Sequence, residues 1–142
     1  MPWVFVYGTL MRGMLNHDLI KDYMLQCLKA TSTGRLFHLP EGYPMLVDDE
    51  RKIVYGEAVK IYDDTSALSI LDELEAFFGP GHTDNLYERV ERDIQLPDLA
   101  WKVRALIYIC PEHRKEQILQ TGTLVTHGDW KKHIKPSNKK DI

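Results

Sequence analysis

The sequence lacks the features that several large classes of protein require. Its only two cysteines, Cys27 and Cys110, are far apart and form no CxxC pair, so they are expected to be buried thiols of a reducing compartment, with a catalytic cysteine as the alternative. No apolar run approaches the roughly 20 residues of a membrane-spanning helix. No basic region precedes the first apolar segment, as a signal peptide would require. We therefore expect a cytoplasmic protein with no membrane partner.

The chain also lacks an excess of either charge and any linker-like segment. Lysine and arginine total 18 against 21 aspartates and glutamates, for a formal net charge of −3, which argues against a nucleic-acid partner. The first 130 residues contain no internal repeat and no linker-like shift in composition. We predict one domain over residues 1–130 and a basic, frayed tail over 131–142. The sequence leaves the oligomeric state open.

Three common catalytic patterns are missing. Gly8 and Gly13 match the glycine spacing of a phosphate loop, but Met14 and Leu15 follow where lysine and then serine or threonine are required. No serine lies in a G-x-S-x-G elbow. The histidines have no HExxH or other metal-ligand spacing; they are residues 17, 38, 82, 113, 127 and 133. The expected chemistry therefore needs no metal, no cofactor and no covalent nucleophile.

Hydrophobic periodicity predicts an α+β fold. Strands are predicted at 3–7, 43–47, 52–62, 86–96 and 101–110, and helices at 15–28, 65–78 and 112–120. Strands precede and follow the helices with few βαβ alternations, which favours α+β over a doubly wound sheet. This number of strands permits closure into a small barrel.

The stretch VFVYGTLMRG ends a strand that is apolar on both faces in a short glycine-bounded loop. Such a loop is either a simple turn or a place where backbone N–H groups face a ligand, because glycine lets the backbone approach closely.

Glu75 lies in an unexpected position on the predicted helix 65–78. At about 100° per residue it falls among the apolar positions, whereas Glu73 projects to the opposite side. Burial and the helix C-terminus both raise a carboxyl pKa from its usual ~4.3, which suits a general base. The alternative is a boundary glutamate that reaches solvent or pairs with an arginine such as Arg89.

Five segments together resemble the γ-glutamylcyclotransferase-like superfamily, which includes γ-glutamylamine cyclotransferases and AIG2-like proteins. They run in family order from Tyr7 to Trp130 and are VFVYGTLMRG, GYPMLV, LDELEAFFG, LYERV and GDW. The resemblance implies a small mixed β-barrel flanked by helices. It also implies a metal-independent enzyme of acyltransferase or lyase type that cyclises a γ-glutamyl group to 5-oxoproline and releases the free amine.

The resemblance assigns roles to individual residues. Its substrate loop matches Tyr7, Gly8, Thr9 and Leu10, and its catalytic glutamate matches Glu75, which would act as general acid and base. The chain departs from the family at position 76, where Ala76 stands in place of a frequent glycine and leaves substrate choice open.

Tyr87 and Arg89 alternate on the strand that follows, so they are either pocket residues that line the site or orient Glu75, or a surface pair.

The implied partner is a small γ-glutamyl compound whose own α-amine closes the ring. Two alternatives remain open. One is a barrel that binds a small ligand without turnover, and the other is an enzyme that removes a γ-glutamyl protecting group from a biosynthetic intermediate. The sequence does not identify the leaving amine.

Overall fold

The chain folds into a closed five-stranded barrel with a three-stranded sheet beside it. The computed structural model describes residues 2–62 and 65–134. The barrel follows the order β1-β5-β2-β6-β7, and the second sheet follows β4-β3-β8. The strands are β1 (Trp3–Val6), β2 (Met24–Thr33), β3 (Arg35–His38), β4 (Pro44–Val47), β5 (Ile53–Ile61), β6 (Glu88–Leu96), β7 (Trp101–Ile109) and β8 (Thr123–Leu124).

The helices are α1 (Thr65–Leu74), α2 (Lys115–Thr121) and α3 (Trp130–Ile134), and a 3₁₀ turn at Glu112–Arg114 leads into α2. In the chain, α1 lies between the barrel strands β5 and β6, and α2 and α3 follow β7. None of the helices in the described ranges is long and apolar enough to span a bilayer.

The first strand closes the barrel because it pairs on both edges. β1 is antiparallel to β5 and parallel to β7, and Val4 and Phe5 are almost fully buried. A strand that is apolar on both faces suits this central position, since neither face meets water. The predicted α+β class with a small mixed barrel is confirmed.

The helix predicted at 15–28 is wrong. The chain instead makes two 3₁₀ turns, at His17–Leu19 and Lys21–Tyr23, and then enters β2. Leu15 and Leu19 are 86% and 46% exposed, so the stripe of apolar residues at spacing four does not face a core. β2 pairs with β5 from Met24 to Thr33, and this long-range pairing overrides the local helical pattern.

α1 ends at Leu74, four residues before the predicted end at 78. Phe77 N–H donates to the carbonyl of Asp72 at 2.9 Å, and Ala76 N–H donates to that of Glu73 at 3.2 Å. Ala76 has a φ of 51°, so the chain leaves the helix through a left-handed residue, in the bonding pattern of a Schellman cap. Glu75 is therefore the C-cap residue of α1.

The C-terminal segment is described only in part. Residues 131–134 of the predicted basic tail lie in α3, where Lys131 Nζ is 3.4 Å from Glu57 Oε2. Residues 135–142 lie outside the described residues, so the domain boundary at 130 stays a prediction.

Candidate active site

A cavity of about 410 Å³ lies between the loop that follows β1 and the end of α1. Its floor consists of buried side chains that include Phe5, Tyr87 and Tyr108, whereas Leu15 and Leu86 at its mouth are exposed. All four residues of the predicted substrate loop and Glu75 line this one cavity. Residues that are far apart in sequence thus meet around a space large enough for a small metabolite.

The β1 loop, residues 8–16, is closed by its own hydrogen bonds. Met11 N–H donates to the carbonyl of Gly8 at 3.1 Å, and Asn16 bonds Thr9 twice, through its backbone N–H and through Nδ2, both at 2.8 Å. In the described ranges, the N–H groups of Gly8, Thr9 and Leu10 have no protein acceptor. This side of the cavity therefore offers unused backbone donors to a ligand.

Gly8 is required at its position for a reason that the sequence did not reveal. A β-carbon there would lie 2.7 Å from Cγ of Pro44, which lines the cavity beside the loop. The positive φ of this loop occurs at Gly13, at 79°, and not at Gly8. The glycine at position 8 thus permits a close approach between two segments of the cavity wall.

The hydroxyl groups of Tyr7 and Tyr87 are used within the protein. Tyr7 Oη donates to the carbonyl of Tyr108 at 2.6 Å and accepts from Leu46 N–H at 3.1 Å. Tyr87 Oη donates to the carbonyl of Pro44 at 2.5 Å. Burial raises the pKa of both phenols, and the Glu75 carboxylate raises that of Tyr7 further. Both side chains therefore stay neutral and shape the wall.

Glu75 reaches the cavity from the C-cap of α1. Burial raises the pKa of its carboxyl group from 4.5 to about 7. No other described residue forms a hydrogen bond or an ion pair with this carboxylate. Arg89, the arginine proposed as its partner, pairs with Asp72 instead. A partly buried, unpaired carboxyl group with this pKa is suited to accept and return a proton near neutral pH.

Arg89 contacts the outer side of the α1 end and does not line the cavity. Its Nη1 is 2.6 Å from Asp72 Oδ2, and its guanidinium lies over the ring of Phe77 at 5.0 Å. Of the two residues that the sequence proposed as pocket residues, Tyr87 lines the cavity and Arg89 does not. The alternative in which Arg89 pairs with Glu75 is wrong.

Several cavity residues were not predicted. Tyr108, Tyr43 and Asn16 all line the cavity. Tyr108 lies on the face of β7 opposite to the apolar residue Ile107, so the alternation of this strand did not point to it. Asn16 carried no usable signal, since it fell at the start of the incorrect helix.

The cysteines and the histidines do not contribute to this site. Burial raises the pKa of both Cys27 and Cys110 to about 11, and neither thiol lines the cavity. Within residues 2–62 and 65–134, no three His, Cys, Asp or Glu side chains are arranged to hold a metal ion.

Solved structures with this architecture include an AIG2-like protein. A mouse AIG2-like protein superposes with a TM-score of 0.69 at 21% identity, covering 100% of this chain and 99% of the mouse chain. YkqA of Bacillus subtilis superposes with a TM-score of 0.64 at 25% identity, covering 93% of this chain and 40% of YkqA. The model of the family described as gamma-glutamyl cyclotransferase, AIG2-like, matches residues 4–132. The chain belongs to this family, as its sequence motifs predicted.

Two curated relatives share part of their length with the chain. The gamma-L-glutamyl-butirosin B gamma-glutamyl cyclotransferase of Niallia circulans is 44% identical over 91 residues, which cover 64% of this chain and 56% of that protein. YkqA of Bacillus subtilis (strain 168) is 30% identical over 139 residues, which cover 97% of this chain and 44% of YkqA. The chain spans about half the length of the curated relatives it matches.

Proposed function

We propose that this protein is a γ-glutamyl cyclotransferase that converts a γ-glutamyl amide into 5-oxoproline and a free amine. The observation that carries the proposal is the unpaired carboxyl group of Glu75, with a pKa of about 7, in a cavity whose opposite wall offers free backbone N–H groups. Family membership supports the same reaction class.

The substrate supplies its own nucleophile. The neutral α-amine of a γ-glutamyl group reaches the γ-carbonyl carbon and closes a five-membered ring. Intramolecular attack of this kind replaces an encounter between two molecules, so the protein has mainly to hold the reactive conformer and move protons. The cavity of about 410 Å³ has room for a folded glutamyl group.

Glu75 moves the proton between the two nitrogens. As the new C–N bond forms, the attacking nitrogen loses a proton to the Glu75 carboxylate. As the old C–N bond breaks, Glu75 returns that proton to the leaving nitrogen. The carboxylate is regenerated, and a pKa near the operating pH makes both transfers efficient.

The β1 loop binds the negative charge of the substrate. The free N–H groups of Gly8, Thr9 and Leu10 suit the α-carboxylate and the γ-carbonyl oxygen, where negative charge develops during ring closure. Thr9 and Asn16 hold the loop in shape through their mutual hydrogen bonds.

A substrate panel tests the proposal. The protein is incubated with γ-glutamyl dipeptides, γ-glutamyl conjugates of simple amines and α-glutamyl dipeptides as the matched control, and 5-oxoproline is measured by mass spectrometry. We expect 5-oxoproline from at least one γ-glutamyl compound and none from the α-glutamyl series. Tight binding of 5-oxoproline without turnover of any substrate would instead support a non-catalytic ligand-binding barrel.

A second candidate is the removal of a γ-glutamyl group from a biosynthetic intermediate. The 44% identity with the butirosin enzyme over 91 residues favours it. γ-L-glutamyl-butirosin B is therefore included in the panel. A kcat/KM for it that is at least about tenfold above that for γ-glutamyl dipeptides would favour this role, and the reverse order would reject it.

A further inference from the structure

The carboxylate of Asp72 joins the last turn of α1 to two strands of the barrel, in addition to the backbone bond from Leu86 N–H to the carbonyl of Ala76 at 3.0 Å. Asp72 Oδ2 accepts a hydrogen bond from Arg89 Nη1 at 2.6 Å, and Asp72 Oδ1 accepts one from Tyr108 Oη at 2.6 Å. The side chains of Asp72 and Arg89 are each only 26% exposed, so water screens the ion pair less than it would at the open surface. Asp72 thus uses both oxygens in short, charge-assisted bonds.

The two donors are neighbours because of strand register. Arg89 on β6 is the direct partner of Tyr108 on β7. Side chains directly opposite each other in an antiparallel pair have β-carbons about 5 Å apart, close enough for both to reach one carboxylate. The barrel therefore presents a preformed pair of donors to the end of α1.

The residues that flank Glu75 are held by the same contacts. Asp72 lies three residues before Glu75, and its carbonyl accepts the N–H of Phe77 in the helix cap. The ring of Phe77, two residues after Glu75, is covered by the Arg89 guanidinium. The backbone of Glu75 therefore lies between two anchored residues, Asp72 before it and Phe77 after it. The carboxylate of Glu75 itself has no partner among the described residues.

Tyr108 also connects this cluster to the opposite wall of the cavity. Its ring lines the cavity, and its carbonyl accepts the hydroxyl of Tyr7, from which the β1 loop departs. Burial, followed by the hydrogen bond to Asp72, raises the pKa of Tyr108, so its hydroxyl stays a donor at neutral pH.

We propose that Asp72 is the positioning residue of the active site: by binding Arg89 and Tyr108 together, it sets the position of Glu75 relative to the β1 loop. This inference rests on the proposed role of Glu75. It assigns Asp72 no contact with the substrate.

The first test separates catalysis from binding. Asp72→Asn keeps the shape of the side chain but removes its charge and one acceptor. We expect kcat to fall about tenfold or more, because small misplacements of a reacting group are costly. The KM and the affinity for 5-oxoproline should change less than about twofold. Tyr108→Phe, which removes one hydroxyl, should lower kcat in the same way and is used if Asp72→Asn does not fold.

The matched control is Asp93→Asn. Asp93 on β6 pairs with Arg104 on β7 at 3.3 Å, but this ion pair is exposed and does not contact α1. Asp93→Asn should leave kcat within about twofold of wild type. The proposal is overturned if the folded Asp72 and Tyr108 variants retain wild-type kcat, or if the Asp93 variant loses as much activity as they do.

The second test does not depend on turnover. The carboxyl carbon of Glu75 is titrated by ¹³C NMR, with Glu75→Gln to assign its signal. The other titratable or charged groups of the cavity and of the end of α1 are Tyr7, Tyr87 and Tyr108, which stay neutral, together with Glu41, Tyr43, Glu73 and the Asp72–Arg89 pair.

Asp72→Asn and Arg89→Met each weaken the contact that holds the end of α1, so Glu75 should become more exposed to water and its pKa should fall from about 7 toward 4.5. Unchanged titration in both variants would overturn the proposal. Absence of 5-oxoproline from the wild-type panel would overturn the proposed function instead, and the titration would still decide whether this cluster acts on Glu75.

Discussion

The two walls of the cavity are held in place by different means. The β1 loop is closed mainly by hydrogen bonds within itself, such as those between Asn16 and Thr9, and the N–H groups of Gly8, Thr9 and Leu10 have no acceptor among the described residues. The end of α1 is held from outside, by Arg89 and Tyr108 acting on Asp72, and it leaves a carboxyl group free at Glu75. One wall therefore offers donors to negative charge, and the other offers an acceptor for a proton.

This difference matches the two kinds of polar group in the proposed γ-glutamyl substrate. Its carboxylate and carbonyl oxygens need donors, and its α-amine needs a base. Backbone donors keep their positions because the loop fold determines them, so that wall needs no charged side chain. A proton acceptor must also titrate near neutral pH, so the other wall depends on burial to raise the pKa of Glu75.

The largest expected effect is on the acceptor wall. Glu75→Gln keeps the size and the hydrogen-bonding reach of the side chain but cannot accept and return a proton. We expect kcat to fall by about 10²-fold or more, the usual scale of general acid–base catalysis, with little change in the affinity for 5-oxoproline. Steady-state kinetics and calorimetry provide the measurements. The control is Glu73→Gln at the exposed residue two positions earlier, which should retain activity. Equal losses of kcat in both variants would contradict the assignment of Glu75 as general acid and base.

Glu75 should also make stability depend on pH. Its carboxyl pKa is about 7 in the folded protein and 4.5 ordinarily, so the folded state binds the proton more tightly. The contribution of Glu75 to the free energy of unfolding is therefore most favourable below pH 4.5 and declines as pH rises to 7. Glu75→Gln should consequently be more stable than wild type at pH 8, by about 2 kcal/mol, and this advantage should shrink at pH 5. Urea unfolding at both pH values measures it, and a pH-independent difference would contradict the raised pKa.

Gly8→Val should damage the donor wall selectively. Because a β-carbon at position 8 would lie 2.7 Å from Pro44, the β1 loop and its neighbour must move apart. We expect the affinity for 5-oxoproline to fall about tenfold, as several donors shift together, while cooperative unfolding is retained. Gly13→Asn is the control at the other end of the loop, where nothing lies within 4 Å and asparagine tolerates the positive φ. Unchanged affinity in Gly8→Val would reduce the loop to a simple turn.

Tyr87→Phe should have a smaller effect on the same wall. It removes the hydrogen bond to the carbonyl of Pro44 but keeps the buried ring. The loss of one such bond should lower the free energy of unfolding by about 1 kcal/mol, and the loosened wall should raise KM only about threefold, with kcat nearly unchanged. Tyr55→Phe, at an exposed tyrosine outside the cavity, is the control. A fall in kcat alone would instead link Tyr87 to the proton transfers.

The smallest expected effect concerns the helix cap. Ala76 has a φ of 51°, which costs an alanine about 1 kcal/mol, partly offset by the greater freedom of glycine in the unfolded chain. Ala76→Gly should therefore raise the free energy of unfolding by about 0.5 kcal/mol. Ala100, with a φ of 54° and a position outside the cavity, is the matched control. Both glycine variants should stabilise the protein in denaturant titrations, and kcat should stay within about twofold of wild type in each.

Sequence reasoning succeeded where the informative pattern was local. β1 ends at Val6, one residue before the predicted end at Tyr7, and the carboxylate among apolar helix positions pointed to Glu75, which lines the cavity. It failed at the end of α1, because Ala76 occupies a left-handed position that is usually announced by glycine. The helix was consequently extended to Phe78, which is 62% exposed.

The sequence by itself therefore indicated the family of the chain, and it named as candidates Glu75 and the loop after β1, which line one cavity in the structure. Only the tertiary structure decided that residues 24–33 form a strand, since β2 depends on pairing with β5 across a long stretch of chain. It also decided that Arg89 binds Asp72 rather than Glu75, because the register between β6 and β7 brings Arg89 beside Tyr108. Helix periodicity and turn residues can be recognised within a few positions of the sequence. Strand register and the close approach of two segments, such as that of Gly8 to Pro44, arise only when distant parts of the chain pack together.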